Sequence, residues 1–302
     1  MTAAQVNGIT IEYDVHGDED GEPLLLVMGL GGQLIDWPEA LVDLLVEAGF
    51  RVIRFDNRDI GLSTKIDAPA PTVRQLLLAT LSPRFAHPAY HLSDMADDAA
   101  ALLDHLGIAK AHVVGASMGG MIVQSLAIGH PDKVLSLTSI MSNTGDRKHG
   151  KITLKLLRKM PRVLARSRKD PIAGGLEAGR LVSGPHFDEA EMRKLIQADL
   201  ARDPDRDGAG RQTIAIAGSP DRTDGLHRVT VPTLVIHGLV DPLVKPDGGI
   251  ATAEAVPTAK LLMFPDMGHD LPVERWNEVV EAIAANAREA TSPRPAGQAS
   301  PV

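Results

Sequence analysis

The run Val113-Val114-Gly115-Ala116-Ser117-Met118-Gly119-Gly120-Met121-Ile122 constrains this chain more than any other stretch, because it sets a G-x-S-x-G pentapeptide between an apolar run and a helical pattern. A strand ending at Gly115 and a helix starting near Met118 must turn sharply between them. The serine at the apex then takes a backbone conformation that side chains avoid, with its hydroxyl projecting from the end of a sheet. Glycines two residues to either side follow, since a Cβ at either place would collide with the neighbouring turn. An ordinary Gly- and Ser-containing loop is the competing reading, and it leaves the flanking pattern unexplained.

The rest of the chain alternates apolar strands with amphipathic helices. Asn7-Gly8 is a hairpin turn signal, and Ile9 to Val15 alternates with period two as a half-buried edge strand does. Pro23-Leu24-Leu25-Leu26-Val27-Met28 is apolar throughout, as a central strand covered on both faces should be. It runs into Gly29-Leu30-Gly31-Gly32 and a helix from about Pro38 to Ala48. Arg51 to Phe55 reads as the next strand and delivers the loop Asp56-Asn57-Arg58-Asp59-Ile60-Gly61-Leu62-Ser63. Ser93 is the expected cap of a helix carrying Met95, Ala99, Leu102, Leu103 and Leu106, and Val134 to Met141 is a further buried strand. The pattern predicts an α/β chain with a mostly parallel, doubly wound sheet.

From about Ser142 to Leu226 the rhythm changes, and cations from Lys148 to Lys169 crowd a helical segment with no strand pattern. This stretch reads as a helical insertion, a cap or lid, in one domain spanning residues 1–302. The sheet resumes at Pro232 to His237 and at Lys260 to Phe264, and a helix from about Val273 to Ala290 closes the domain. Residues 291–302, rich in Pro, Ser, Ala and Gly, are expected to be disordered.

Composition narrows the function classes. A net charge of −8 argues against a nucleic-acid surface, and no apolar run reaches membrane-spanning length, so neither partner is expected. With no cysteine, thiol chemistry and Cys-based metal sites are excluded. No leader pattern opens the chain, which makes the cytoplasm the default compartment. The eleven histidines form no metal-binding pattern, and no cofactor is expected.

A serine hydroxyl is a weak nucleophile at neutral pH and needs a base, together with a group to orient that base. Asp241 in His237-Gly238-Leu239-Val240-Asp241-Pro242 and His269 in Phe264-Pro265-Asp266-Met267-Gly268-His269 both follow carboxyl ends of strands, on the sheet edge where Ser117 must lie. An oxyanion site needs backbone donors: the N–H of Met118 is one, and the N–H of Leu30 in the glycine turn is the expected second.

On these motifs the chain resembles the α/β-hydrolase superfamily over nearly its whole length, and within it the aclacinomycin methylesterase type. Gly115-Ala116-Ser117-Met118-Gly119-Gly120 matches the nucleophile elbow, Asp56 to Ser63 resembles the D-x-R-G-x-G-x-S loop, and Met263 to His269 the P-x-x-G-H-x block. The order Ser, Asp, His is also that of the superfamily. The resemblance implies a catalytic triad of Ser117, Asp241 and His269, and a buried Asp-Arg pairing at Asp56 and Arg58 that is structural. Met28 stands where many relatives have histidine, and Asp59 replaces a usual glycine.

Several residues have simpler readings. His237 ends a buried strand and His130 precedes a helix-stopping proline; both read as structural. Asp266 and Asp270 are too local to His269 to orient its ring, whereas Asp146 is the rival acid, since some relatives place it after that strand. A dinucleotide reading of Gly29 to Gly32 fails because G-x-G-x-x-G needs glycine at Leu34. The basic run is a solvated face or, on the sharper reading, attracts an anionic substrate. The expected activity is hydrolysis of a small-molecule carboxylic ester, with methyl esters and lactones included. C–C bond hydrolysis, perhydrolysis or ligand binding without catalysis would use the same fold, and oligomeric state, a homo-oligomer included, is left open.

Overall fold

A computed structural model describes residues 2–205 and 207–291. The tail expected at 291–302 lies outside the described residues, except that Thr291 ends the last helix. Eight strands form one sheet: β1 (Thr2–Val6), β2 (Ile9–His16), β3 (Glu22–Val27), β4 (Phe50–Phe55), β5 (Ala111–Ala116), β6 (Val134–Ile140), β7 (Thr233–Gly238) and β8 (Ala259–Phe264). Their order across the sheet is β1-β2-β4-β3-β5-β6-β7-β8. The hairpin at Asn7-Gly8, where φ is 47° and 78°, makes β1 and β2 antiparallel, and β2 is also antiparallel to β4. All later pairs are parallel.

Helices cover both faces: α1 (Glu39–Glu47) after β3, α2 (Val73–Leu81) and α3 (Leu92–His105) after β4, and α4 (Met118–Gly129) after β5. Between β6 and β7 come α5 (Leu154–Lys169), α6 (Pro171–Val182), α7 (Glu189–Arg202), α8 (Asp207–Gly218) and α9 (Thr223–Leu226), with no strand among the described residues there. Helix α10 (Asp247–Ala255) joins β7 to β8, and α11 (Trp276–Thr291) ends the described chain.

The unbroken apolar run of β3 is explained by its two covers. Leu25 and Val27 enter the core shared with α3 and α4, whereas Leu24 and Leu26 enter the one shared with α1 and α11. All four are fully buried, and each contributes roughly 1.5–3 kcal/mol by leaving water. The sequence reading passes over the two short helices α2 and α10; α2 carries Val73, Leu76, Leu77 and Leu81 at helical spacing, whereas α10 has no apolar stripe. The start of α3 is a correction: the helix begins at Leu92, and Asp94 accepts the His91 N–H at 2.6 Å, so Ser93 lies inside the first turn rather than capping it.

Strand order reverses between β3 and β5, since connections run outward to β4 on one side and onward through β6, β7 and β8 on the other. In an open α/β sheet a crevice forms beyond the carboxyl ends of the strands at such a point. The turn at Gly29 leaves β3 and Ser117 leaves β5 at this switch.

Candidate active site

Ser117 has φ 55° and ψ −117°, a conformation that side chains rarely adopt, and it caps α4. Two contacts hold the residue there. Its N–H donates to the Ile140 carbonyl at 2.9 Å, and its own carbonyl accepts the Met121 N–H at 3.3 Å. The flanking glycines are required sterically: a Cβ on Gly115 would strike the Gly119 backbone, and one on Gly119 would fall on the Val27 carbonyl. The main chain of α4 is thereby pressed against the end of β3.

The carboxyl ends of β7 and β8 are laced together. Leu239 N–H donates to the Phe264 carbonyl at 2.8 Å and Val240 N–H to the Met267 carbonyl at 3.2 Å. This brings Asp241 and His269 to each other. His269 Nδ1 lies 2.7 Å from Asp241 Oδ2, and His269 Nε2 lies 2.9 Å from Ser117 Oγ. The Asp241 side chain is fully buried and that of His269 is 10% exposed.

Burial by itself would raise the Asp241 carboxyl, but hydrogen bonds from His237, His269 and the Val244 N–H outweigh it and hold the group below the usual carboxylate range. Oδ1 accepts the N–H groups of Leu243 and Val244 at 2.8 and 2.9 Å, which leaves Oδ2 for the imidazole. A charged carboxylate on Nδ1 fixes the tautomer in which Nε2 is free to accept a proton from Ser117. His237 is buried, donates from Nε2 to the Val244 carbonyl at 2.8 Å, and stands 3.5 Å from Asp241 Oδ2.

The glycine turn lies against the serine: a Cβ on Gly29 would sit 3.1 Å from both the Ala116 carbonyl and Ser117 Cβ. Gly31 has φ 73°, the Gly32 N–H closes the turn onto the Gly29 carbonyl at 3.2 Å, and no group among the described residues engages the N–H of Leu30 or Met118. At the first position of a helix the Met118 N–H has no intrahelical acceptor, and it carries part of the positive end of the helix dipole. Two residues that sequence reading misses hold the turn. Asn57 Nδ2 donates to the Met28 carbonyl at 2.9 Å, and Gln212 Oε1 on α8 accepts the Gly31 N–H at 2.9 Å. Asn57 stood in a quoted motif, but nothing local marks Gln212.

The Asp-Arg pairing expected at Asp56 and Arg58 is corrected. Asp56 accepts the N–H groups of Leu34 and Leu62 at 2.8 Å each and pairs with Arg202 of α7 at 2.6 Å. Arg58 instead binds Asp98 of α3 through two bonds of 2.6 Å. Asp59, with φ 75° where a glycine is usual, pairs with Arg211 of α8 at 2.7 Å and accepts from Tyr90 Oη at 2.6 Å. Its side chain thus does what a glycine could not, tying α8 to the loop after β4.

The other acids are engaged elsewhere. Asp146 binds His149 Nδ1 at 2.5 Å and lies outside the hydrogen-bonded chain of Asp241, His269 and Ser117. Asp266 binds Arg275 and His186 at 2.9 and 2.8 Å, while Asp270 accepts the N–H groups of Gly268 and Gly184 at 2.9 and 3.2 Å. Among the described residues no three His, Asp or Glu side chains are grouped as a metal ion would require.

Comparison with known proteins agrees with this architecture. Residues 22–174 match the family described as alpha/beta hydrolase fold. The rhodomycin D methylesterase of Streptomyces peucetius is 29% identical over 94% of this chain and 96% of that protein. A thermophilic esterase from Thermogutta terrifontis superposes with a TM-score of 0.72 at 25% identity, covering 96% of this chain and 99% of the other. The enol-lactonase of Burkholderia xenovorans superposes equally well, with a TM-score of 0.72, over 95% of this chain and all of that one; at 23% identity the likeness is one of fold.

Proposed function

Because the chain belongs to the α/β-hydrolase fold family, we propose that it hydrolyses carboxylic esters through an acyl-enzyme on Ser117. The observation that carries this reading is the position of His269, within 2.9 Å of the serine oxygen on one side and 2.7 Å of Asp241 on the other. Ser117 Oγ attacks the carbonyl carbon while His269 Nε2 takes its proton. The oxyanion that forms is held by the N–H groups of Met118 and Leu30, each worth about 2.7–4 kcal/mol in the transition state. Collapse expels the alcohol, which leaves with the proton from His269. Water then repeats the sequence on the acyl-enzyme and releases the acid. Asp241 stays ionised throughout and holds the imidazolium.

The likeness to a methylesterase over 94% of the chain makes methyl esters of small molecules the substrate class to test first. The segment 142–226 acts as a lid in this reading. Support comes from the ties of α7 and α8 to the loop after β4 and to the glycine turn. A helical cover in that place sets substrate size. Within one domain of this kind, the cysteine-free composition fits the cytoplasm.

Labelling with a fluorophosphonate, followed by peptide mapping, tests the nucleophile. The expected result is one adduct at Ser117, with loss of methyl-ester turnover in proportion to labelling. Turnover that persists after complete labelling would exclude the acyl-enzyme.

A further inference from the structure

We propose that α5 is a binding surface for anionic phospholipid bilayers, an interaction independent of the ester hydrolysis proposed above. Helix α5 carries seven cations and no acid in the sequence LKLLRKMPRVLARSRK, on a chain whose net charge is −8. Its seat on the protein is narrow, since Leu156 and Val163 are the buried residues. Leu154, Leu157 and Leu164 are 69%, 48% and 50% exposed.

At about 100° per residue, these leucines share one outward sector with Pro161 and Ala165, and Arg168 joins that sector in the last turn. Lys155, Arg158, Lys159, Arg162, Arg166 and Lys169 occupy the adjoining sector. The helix therefore has three faces: one seated, one open and apolar apart from Arg168 in its last turn, one cationic. A merely solvated face would have polar residues where the leucines stand. An open apolar stripe beside a row of cations is what a helix lying in a membrane interface needs, with the stripe sunk ~5–10 Å into the headgroup boundary and the cations at phosphate level.

Charge separates this occupant from others. A symmetric pairing of two copies across this face would set the two cationic rows against each other. A nucleic acid would use the cations but leave the leucines in water, and α5 carries no aromatic side chain on which a base could stack. Glu177 on α6 pairs with Arg162 and Arg166, and among the described residues no other ion pair engages the row. The expectation that no membrane partner exists rested on the lack of a spanning stretch; an interfacial helix needs none. Thr153, just before α5, donates its N–H to the Pro242 carbonyl at 2.9 Å, so a bilayer on this face would lie beside the loop that carries Asp241.

The test is co-sedimentation of the full chain with vesicles, either pure phosphatidylcholine or an equal mixture with phosphatidylglycerol. Binding is expected to the mixed vesicles at low salt, at least tenfold weaker to pure phosphatidylcholine, and weakened again at high salt. Two variants separate the faces: Leu157→Asp with Leu164→Asp, and Arg158→Glu with Lys159→Glu. Each pair should lower binding at least tenfold while leaving the melting temperature, which reports folding, unchanged. No binding of the wild-type chain to anionic vesicles, binding that neither pair weakens, or tighter binding to duplex DNA than to vesicles would each overturn the proposal.

Discussion

The backbone N–H of His269 donates to the carbonyl of Val182 at 2.7 Å, so the loop bearing the proposed base is fastened to the end of α6 in the helical insertion. The next residue reinforces the link. Asp270 accepts the N–H of Gly268 on its own loop and that of Gly184 just past α6, and burial raises its carboxyl despite these bonds. Asp270→Ala removes both acceptors. The expected result is a fall in kcat of about ten- to a hundredfold with little change in KM, matching the ~1.5–3 kcal/mol of hydrogen bonds to a charged group. Asp270→Asn keeps one accepting oxygen and should retain most of the activity. Steady-state kinetics on a soluble ester would decide it.

Asp241→Asn should keep the fold, because an amide oxygen can still accept from Leu243 and Val244. Its NH₂ group would then face His269 Nδ1 and select the wrong tautomer. A loss in kcat on the order of 10⁴-fold is expected, with an unchanged melting temperature. An activity loss below tenfold would remove Asp241 from its assigned role.

Asp59→Gly restores the residue usual at this loop position and relieves a positive φ of 75°, yet it should destabilise the protein. Arg211 would be left buried without its carboxylate, at a cost of about 3–5 kcal/mol. Urea unfolding would measure this, and Asp59→Asn should lose less because it keeps hydrogen-bond acceptors.

Asp36 is buried beside Asp199, and burial, followed by the Asp199 charge, raises its carboxyl well above the usual range. An acid with a raised folded value binds a proton that the unfolded chain has already released. Its adverse effect is therefore absent below the unfolded value of about 3.9, grows as pH rises toward the folded one, and is fully present above it. Asp36→Asn should raise the melting temperature at pH 7 by roughly 2–4 °C for each kcal/mol recovered, with no gain at pH 3.5. Calorimetry at the two pH values checks both the direction and the window.

Gly119→Ala and Gly107→Ala should differ sharply. A Cβ on Gly119 falls on the Val27 carbonyl, whereas one on Gly107 meets nothing within 4 Å and suffers only from its φ of 68°. The second should cost about 1 kcal/mol, near the penalty for a side chain in the left-handed region. The first should yield no soluble, folded protein.

Much of this architecture is legible along the chain. The turn at Ser117 is marked by glycines two residues to either side, and apolar runs mark the strands that carry Asp241 and His269 to one sheet edge. These are local or periodic constraints, so they survive without knowledge of the fold. Partner choice is different. Asp56 and Arg58 are two residues apart in a motif, yet one binds Arg202 of α7 and the other Asp98 of α3, elements that lie far apart in sequence. Gln212 reaches the Gly31 N–H across 181 residues of sequence, and Asp36 meets Asp199 across most of the same span. Neither pairing has a signature in the residues around it. Hydrogen bonds and charges act over a few ångströms, and only the closed chain determines which groups come that near.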